Sequence, residues 1–189
     1  MINFQKVSLF SIVILLVGCD NSRHIQYYRT PKKNFGVEAI QTKENIQTKA
    51  LKNLVWELPK NWIPSNGHSM RLASFDVPFS NGVGDLSIVS LSGISGGLLA
   101  NVNRWRAQIN LEPISENEIL SFSEAGESKM GAFRIFKMVN NSSEERAILA
   151  AVLPTGEKTF FIKLTASQQG LYELELVFEK FCSSIGRVN

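Results

Sequence analysis

The stretch ERAILAAVLPTGEKTFFIKLT, residues 145–165, decides the fold. Residues 145–153 and 158–165 are rich in aliphatic and aromatic side chains, and the turn-forming sequence PTGE separates them at 154–157. Strand-forming runs that flank a short Pro/Gly turn are typical of a β-hairpin. The stretch therefore predicts two adjacent antiparallel strands.

Further strands are predicted on the N-terminal side of this hairpin. Runs of strand-forming residues, two of them clearly alternating, identify segments 54–58, 70–75, 86–91 and 129–139. Between the third and fourth of these, a helix is predicted over 98–110, because Leu98, Val102, Trp105 and Ile109 recur at helical spacing.

Two other helices complete the pattern. A short helix is expected from Ser115, where Glu118 stands three residues later as in a capping box. The last helix is expected over 171–185. The order βββ-α-α-βββ-α predicts an α+β fold with an antiparallel β-sheet of about six strands flanked by helices.

The N-terminus carries the sequence Leu16-Val17-Gly18-Cys19, which resembles a bacterial lipobox. The basic residue Lys6 and an apolar run of 11 residues, Val7–Val17, precede it. That run fits a secretory signal, whereas a membrane-spanning helix needs about 20 residues. We therefore expect cleavage before Cys19 and attachment of a lipid anchor to Cys19.

Charge and composition divide the rest of the chain. Residues 19–52 have a net charge of +4 and residues 53–189 a net charge of −2. We expect a lipoprotein signal peptide (1–18), a lipidated cysteine with a flexible basic tether (19–52), and a single α+β domain (53–189). The tether is expected either to contact anionic headgroups or to serve as a solvated linker. The acidic domain argues against nucleic acid as a partner.

Cysteine and histidine are too sparse for a metal site. Cys182 lies in an apolar helical stretch and is expected to be a buried, inert thiol. The two histidines, His24 and His68, stand far apart in sequence. No metal, cofactor or nucleophile–base pair is therefore predicted.

The densest polar cluster of the domain lies around the predicted helix at 98–110. Two glycines precede a helix N-terminus, whose free N–H groups attract anions. The candidate site for a ligand or partner consists of Gly96, Gly97, Asn101, Asn103, Arg104, Arg106 and Gln108. In the alternative interpretation, the glycines permit close backbone approach and the polar side chains hold neighbouring loops.

Carboxylates near this segment are candidates for acid–base chemistry. They are Asp76, Asp85, Glu112, Glu116 and Glu118. A catalytic pair needs a defined separation, and the sequence does not fix one.

Several motifs resemble a group of bacterial lipoproteins with a W-x-L-P … N-x-N-R-W-R pattern. The first is Trp56-Glu57-Leu58-Pro59, and the most specific is Asn101-Val102-Asn103-Arg104-Trp105-Arg106. More remotely, the order of strands and helices is similar to the PsbP/Mog1-like α/β/α sandwich. That resemblance implies an accessory binding subunit more readily than an enzyme.

The sequence thus predicts a membrane-anchored lipoprotein that acts as a binding or accessory module in the cell envelope. Its partner is expected to be an envelope protein or a small anionic ligand. The anchor is expected on the periplasmic side, and Asp20 favours the inner membrane. A periplasmic hydrolase that uses carboxylates and Arg104 is the alternative, and a purely structural component is a third possibility.

Overall fold

A computed structural model describes residues 54–67, 70–93, 96–142 and 145–188. Several predictions concern residues outside these ranges. They are the signal peptide, Cys19, Asp20, the tether, His24 and His68.

Seven strands form one antiparallel sheet in the order β2-β3-β4-β8-β7-β6-β5. A separate two-stranded sheet joins β1 to β9. The strands are β1 (Leu54–Val55), β2 (Ile63–Pro64), β3 (Ala73–Phe79), β4 (Gly82–Ser92), β5 (Ser123–Ser128), β6 (Gly131–Val139), β7 (Ala147–Pro154), β8 (Lys158–Ala166) and β9 (Gly186–Arg187).

The predicted hairpin lies at the centre of the large sheet. Strands β7 and β8 pair with each other, and β7 is buried along all but its last residue. Its uninterrupted apolar sequence follows from this position, because a strand covered on both faces has no polar side to alternate with. The α+β prediction is confirmed.

Two helices are present in the described part of the chain. Helix α1 spans Leu98–Gln108 and helix α2 spans Gln168–Ser184. The side chain of Ser167 caps α2 by accepting a hydrogen bond from Gly170 N–H at 3.1 Å. Such a cap fixes the start of the helix three residues before the predicted Leu171.

Each helix contributes to one of two hydrophobic cores, which lie on opposite faces of the sheet. The α1-side core contains Val102, Trp105, Ile109, Ile114, Ile119, Phe136, Met138, Ile148, Ala150, Val152 and Phe161. The α2-side core is larger and includes Trp62, Phe75, Phe160, Leu171, Phe178, Phe181 and Cys182. Alternate residues of β7 and β8 enter opposite cores, as the pleat of a strand requires.

The large sheet has seven strands where about six were expected, because two unpredicted strands, β2 and β5, join it and the predicted strand at 54–58 lies outside it. The sequence pattern of β5 explains why this strand was not predicted. This strand reads SEAGES and lacks apolar alternation. It lies at the edge of the sheet, where only β6 pairs with it. Partial exposure lets polar residues form a strand by backbone pairing alone.

The short helix expected from Ser115 is not formed, and residues 116–122 form turns instead. The capping contact itself exists, since the Glu118 carboxylate accepts hydrogen bonds from Ser115 N–H at 2.9 Å and from Ser115 Oγ at 2.6 Å. The hydroxyls of Ser121 and Ser123 then donate to the carbonyls of Glu118 and Leu120. Serine side chains that bond the local backbone compete with helix propagation.

Segment 54–58 forms a shorter strand than expected. Only Leu54 and Val55 pair, and their partner is β9 at the chain's other end. Beyond them, Glu57 N–H donates to Ser184 Oγ at 2.9 Å. These hydrogen bonds attach the segment to the C-terminal end of α2 and to β9, outside the large sheet.

Candidate ligand-binding site at the start of helix α1

Gly96 and Gly97 give the chain the sharp turn that starts α1. Both have positive φ, 79° and 74°, and Gly97 combines this φ with a ψ of 157°. Only glycine adopts that combination without strain. The two glycines, singled out in the sequence as a lead into a helix, therefore have a backbone reason to be glycine.

Asn101 and Arg104 continue from this turn along one flank of α1. Asn101 is buried, and its Nδ2 donates to Gly97 O at 2.8 Å. Arg104 is exposed, and its guanidinium donates to Asn101 Oδ1 at 2.8 Å. Asn101 thus links the exposed arginine to the first turn of the helix.

Asn103 and Arg106 hold the segment that follows the helix. The Asn103 amide makes two 2.9 Å hydrogen bonds, one to the carbonyl and one from the N–H of Ile114. Arg106 Nε donates to Glu112 O at 2.6 Å, and its guanidinium lies 5.5 Å from the ring centroid of Phe122. These contacts hold the neighbouring loop, as the alternative interpretation of the sequence proposes.

Gln108 lies at the far end of α1, where its Oε1 accepts a hydrogen bond from Lys163 Nζ at 3.0 Å. Burial lowers the pKa of Lys163, opposed by the nearby charge of Asp85, and Arg71 adds a smaller lowering effect. Arg71 pairs bidentately with Asp85 at 2.7 and 2.8 Å. A mixed cluster of two cations and one anion therefore borders this end of the helix.

The seven candidate residues are consequently spread along the helix. Gly96 and Gly97 lie at its start and Asn101 and Arg104 on one flank, while Gln108 lies about three turns from Gly97, roughly 16 Å along the axis. That all seven serve one ligand or partner site stays a prediction.

A pocket of about 370 Å³ opens beside the first turn of α1. Strands β5, β6, β7 and β8 form its other walls. Its lining residues are Gly97, Leu98, Ala125, Ala132, Phe133, Arg134, Val152, Pro154, Thr159 and Phe161. Ligand pockets are typically concave and mostly apolar, with a few polar groups, and start at about 300 Å³.

Arg134 is the one charged side chain in this lining. It is half-buried and donates from Nη1 to Ser123 Oγ at 2.8 Å. No carboxylate of the described residues lies within ion-pair distance of it. The pocket therefore combines an apolar wall with a cation whose charge the neighbouring described residues leave uncompensated.

The candidate carboxylates do not converge on this pocket or on Arg104. Asp85 pairs with Arg71, and the hydrogen bonds from Ser115 hold the pKa of Glu118 below its usual value. Asp76 lies directly opposite Asp85 in the β3–β4 register, away from the pocket. The carboxyl pKa shifts resolved at Glu118 and Glu173 are both downward, opposite to the shift expected of a general acid.

Metal and thiol chemistry find no support in the described part of the chain. No group of three or more potential ligands from His, Cys, Asp or Glu occurs there. Cys182 is 1% exposed, as predicted, and burial raises the pKa of its thiol far above the usual range. A thiol in this environment is unreactive.

Arg134 and Lys163 were missed by the sequence analysis, although a signal for each exists. Arg134 shares an alternating set with Ala132, Phe136 and Met138, so a charge interrupts an otherwise apolar strand face. Lys163 likewise follows Phe161 on one face of β8. A charged residue at an inward position of a strand is rare unless it has a partner or a function.

No family model matches this chain, and no curated protein matches it in sequence. Among solved structures it is similar to cyanobacterial PsbP (CyanoP) from Synechocystis sp. PCC 6803, with a TM-score of 0.46 and 14% identity over 72% of this chain and 94% of that one. It is also similar to a protein from Bacteroides thetaiotaomicron VPI-5482, with a TM-score of 0.42 and 13% identity. That match covers 72% of this chain and 45% of the other.

These similarities concern the backbone fold. They assign no functional residue, ligand or partner to this chain. A PsbP-like protein is among them, as the remote resemblance in the sequence implied. In the described ranges, neither helix is long and apolar enough to cross a membrane.

Proposed function

We propose that this chain is a lipid-anchored binding module of the bacterial cell envelope. It holds an envelope protein or a small anionic ligand at the first turn of α1. Cys19 carries the anchor, and the basic tether lets the domain reach its partner from the membrane surface. Asp20 favours retention at the inner membrane, on its periplasmic side.

The pocket beside Gly97 and Leu98 is the observation that carries this proposal. It is concave, its wall is mostly apolar, and Arg134 supplies a positive charge. The segment 96–108, identified in the sequence as the candidate site, contributes the helix start at its rim. These features suit the pocket to binding a ligand. Binding, unlike hydrolysis, needs no catalytic side chain.

The membrane anchor would make a modest affinity sufficient. Confinement to a surface raises the effective concentration of a tethered module toward partners on the same surface. The sequence LVGC at 16–19 and the net charge of +4 over 19–52 support such confinement.

A periplasmic hydrolase is the weaker alternative, and no observation favours it. Arg104 donates to Asn101 and faces none of the candidate carboxylates within hydrogen-bond distance. In the described ranges, no nucleophile is hydrogen-bonded to a base in the pocket.

The test is site-specific photo-crosslinking of the full-length, lipidated protein in living cells. One variant carries the photoreactive residue at Ala132, which lines the pocket and is exposed. The matched control carries it at Leu176, 68% exposed on α2 and outside this pocket. We expect crosslinked products from position 132 that are absent from position 176.

Two further variants complete the experiment. Cys19→Ala should release the protein from membranes and abolish incorporation of labelled palmitate, because it removes the acceptor thiol. Arg104→Ala tests whether the exposed flank of α1 belongs to the same binding face. A protein partner at this pocket is overturned if positions 132 and 176 give the same products, or if position 132 gives none. The small anionic ligand is then the form of the proposal that binding measurements test.

A further inference from the structure

We propose that the pocket at the start of α1 binds a monocarboxylate with an apolar body, and that the Arg134 guanidinium pairs with its carboxylate. This inference rests on the proposed function, which places a binding site here but leaves open what it binds. Aryl-alkyl and short alkyl carboxylates belong to this ligand class.

The charge of Arg134 requires an anion in any occupant that displaces water. The guanidinium has five N–H donors. Among the described residues, its hydrogen-bond acceptor is Ser123 Oγ, which Nη1 contacts. A wholly apolar occupant would remove water from the guanidinium and give nothing in return, which is costly for a charged group. An anionic group on the ligand offsets this cost, because it accepts a charge-assisted hydrogen bond from the guanidinium.

The remaining walls require an apolar body. Val152, Phe161 and Ala125 face the cavity, and Leu98 borders it from the helix. The one hydroxyl in the lining, Thr159 Oγ1, already donates to Gly93 O at 2.6 Å. A small inorganic anion would leave these walls in contact with water, so it gains little from the cavity.

The geometry of the cation favours a carboxylate. Ser123 fixes one side of the guanidinium, which leaves a planar fork of donors that matches two carboxylate oxygens. Arg134, Val152 and Phe161 are register partners across β6, β7 and β8, so the cation and the aromatic wall lie in one row. The ligand is expected to lie along this row, with its carboxylate at Arg134.

The test measures binding of 4-phenylbutanoate and of its neutral analogue, 4-phenylbutanamide. The full-length chain is held in phosphatidylcholine nanodiscs, and protein-free nanodiscs correct for partitioning of the probes. The indole N–H signal of Trp105 reports on the pocket, since its ring lies 6.0 Å from that of Phe161. Trp62 belongs to the α2-side core and serves as an internal reference.

We expect the carboxylate to shift the Trp105 signal and to bind at least about tenfold more tightly than the amide, the usual worth of a hydrogen bond between charged groups. Arg134→Gln should remove this difference by weakening carboxylate binding alone. The matched control is Lys137→Gln on the same strand, where Lys137 pairs with Glu175 at 2.6 Å outside the pocket. It should leave both affinities unchanged.

Equal affinities for the carboxylate and the amide in the unmodified protein would overturn the inference while leaving a binding pocket in place. A Trp105 signal that neither probe shifts would overturn it as well, and the crosslinks from position 132 would then judge the proposed function separately. If Arg134→Gln fails to fold, Arg134→Lys keeps the charge and removes the planar fork. Undiminished carboxylate binding by that variant would contradict bidentate pairing.

Discussion

The two faces of the central sheet are covered to different degrees. Helix α2, with 17 residues, closes its face over a core in which Phe178 and Leu171 are fully buried. Helix α1 has 11 residues and leaves a pocket of about 370 Å³ at its first turn. The larger, closed core therefore lies on the α2 side and a mostly apolar pocket on the α1 side, whereas two hollows along α2 are lined mainly by polar or charged residues.

Under the proposed function, this difference separates the residues that stabilise the fold from those that contact a ligand. A closed core gains from every buried apolar atom, and gaps in it are costly. A binding pocket must instead keep apolar surface accessible until a ligand covers it. We expect substitutions on the α2 side to act mainly on the free energy of unfolding, and those around the pocket to act less on stability.

The largest expected effect concerns the thiol of Cys182 at the inner side of α2. Because this side chain is 1% exposed, its alkylation requires unfolding and should be on the order of a thousandfold slower or more than in urea. The rate is measured with iodoacetamide in a Cys19→Ser background. Ser183→Cys combined with Cys182→Ala is the matched control and should react readily, because Ser183 is half-buried.

The same thiol predicts a pH dependence. Burial raises the pKa of folded Cys182, so the folded state favours the neutral thiol. Its contribution to stability is present below the unfolded-state pKa of about 8.5 and is lost as the pH rises beyond it. Urea denaturation at pH 7 and pH 10 should show this loss, and Cys182→Ala should remove that part of the pH dependence.

Adjacent phenylalanines on β8 compare the two faces directly. Phe160 enters the α2-side core, whereas Phe161 enters the α1-side core and lines the pocket. Phe160→Ala should lower the free energy of unfolding by about 3–5 kcal/mol, because it opens a cavity in a closed core. Phe161→Ala should cost less, since its ring already borders open space. Equal losses in urea denaturation would contradict the distinction between the faces.

Gly97 tests the turn at the rim of the pocket. Gly97→Ala adds a methyl group that meets no described heavy atom within 4 Å, so its cost is backbone strain at φ 74°. We expect a loss of about 1–3 kcal/mol in the free energy of unfolding. Ala100→Gly, on the exposed side of the same helix, controls for flexibility. Wild-type stability of Gly97→Ala would show that the turn relaxes easily.

Asn103 tests the loop that α1 holds in place. Asn103→Ala removes two hydrogen bonds to the backbone of Ile114 and should cost about 1–2 kcal/mol, the lower part of the range for unpaired buried groups. Gln108→Ala is the control, because it loses one exposed contact to Lys163. Thermal denaturation of both variants measures the difference. A larger effect from Gln108→Ala would mean that the far end of the helix carries more stability than its loop.

The smallest effect is expected at the ion pair between Arg71 and Asp85. The Asp85 side chain is 51% exposed, so solvent screens the pair. Asp85→Asn should therefore change the free energy of unfolding by about 1 kcal/mol or less, and less still in high salt. A large change in urea denaturation would indicate that this pair orders the sheet beside the open face.

Much of the architecture could be predicted from local patterns. The hairpin at 145–165 and the helix from Leu98 follow from residue spacing, because alternation and helical periodicity reflect which side of an element is buried. The strand β5 and the turns at 116–122 could not be predicted in the same way. One depends on backbone pairing to β6, and the other on serine hydroxyls that compete with helix formation.

The candidate site was predictable only in part. The glycines at 96 and 97 and the helix after them were identified from sequence, and Gly97 and Leu98 line the pocket. The remaining walls come from strands β5 to β8, up to 64 residues away in sequence from Gly97. The sequence shows Arg134 as a charge on an otherwise apolar strand face, but its place in the pocket is decided when β6 lies beside β7 near the start of α1.

The sequence by itself determined the α+β class, the central hairpin, the stripe of α1 and the burial of Cys182, because each depends on the spacing of neighbouring residues. The tertiary structure decided that α1 covers only part of its sheet face and that an arginine lines the space left open. Those features depend on the lengths and relative positions of elements distant in sequence. No local pattern records them, since a pocket is defined by surfaces that meet only when the chain has folded.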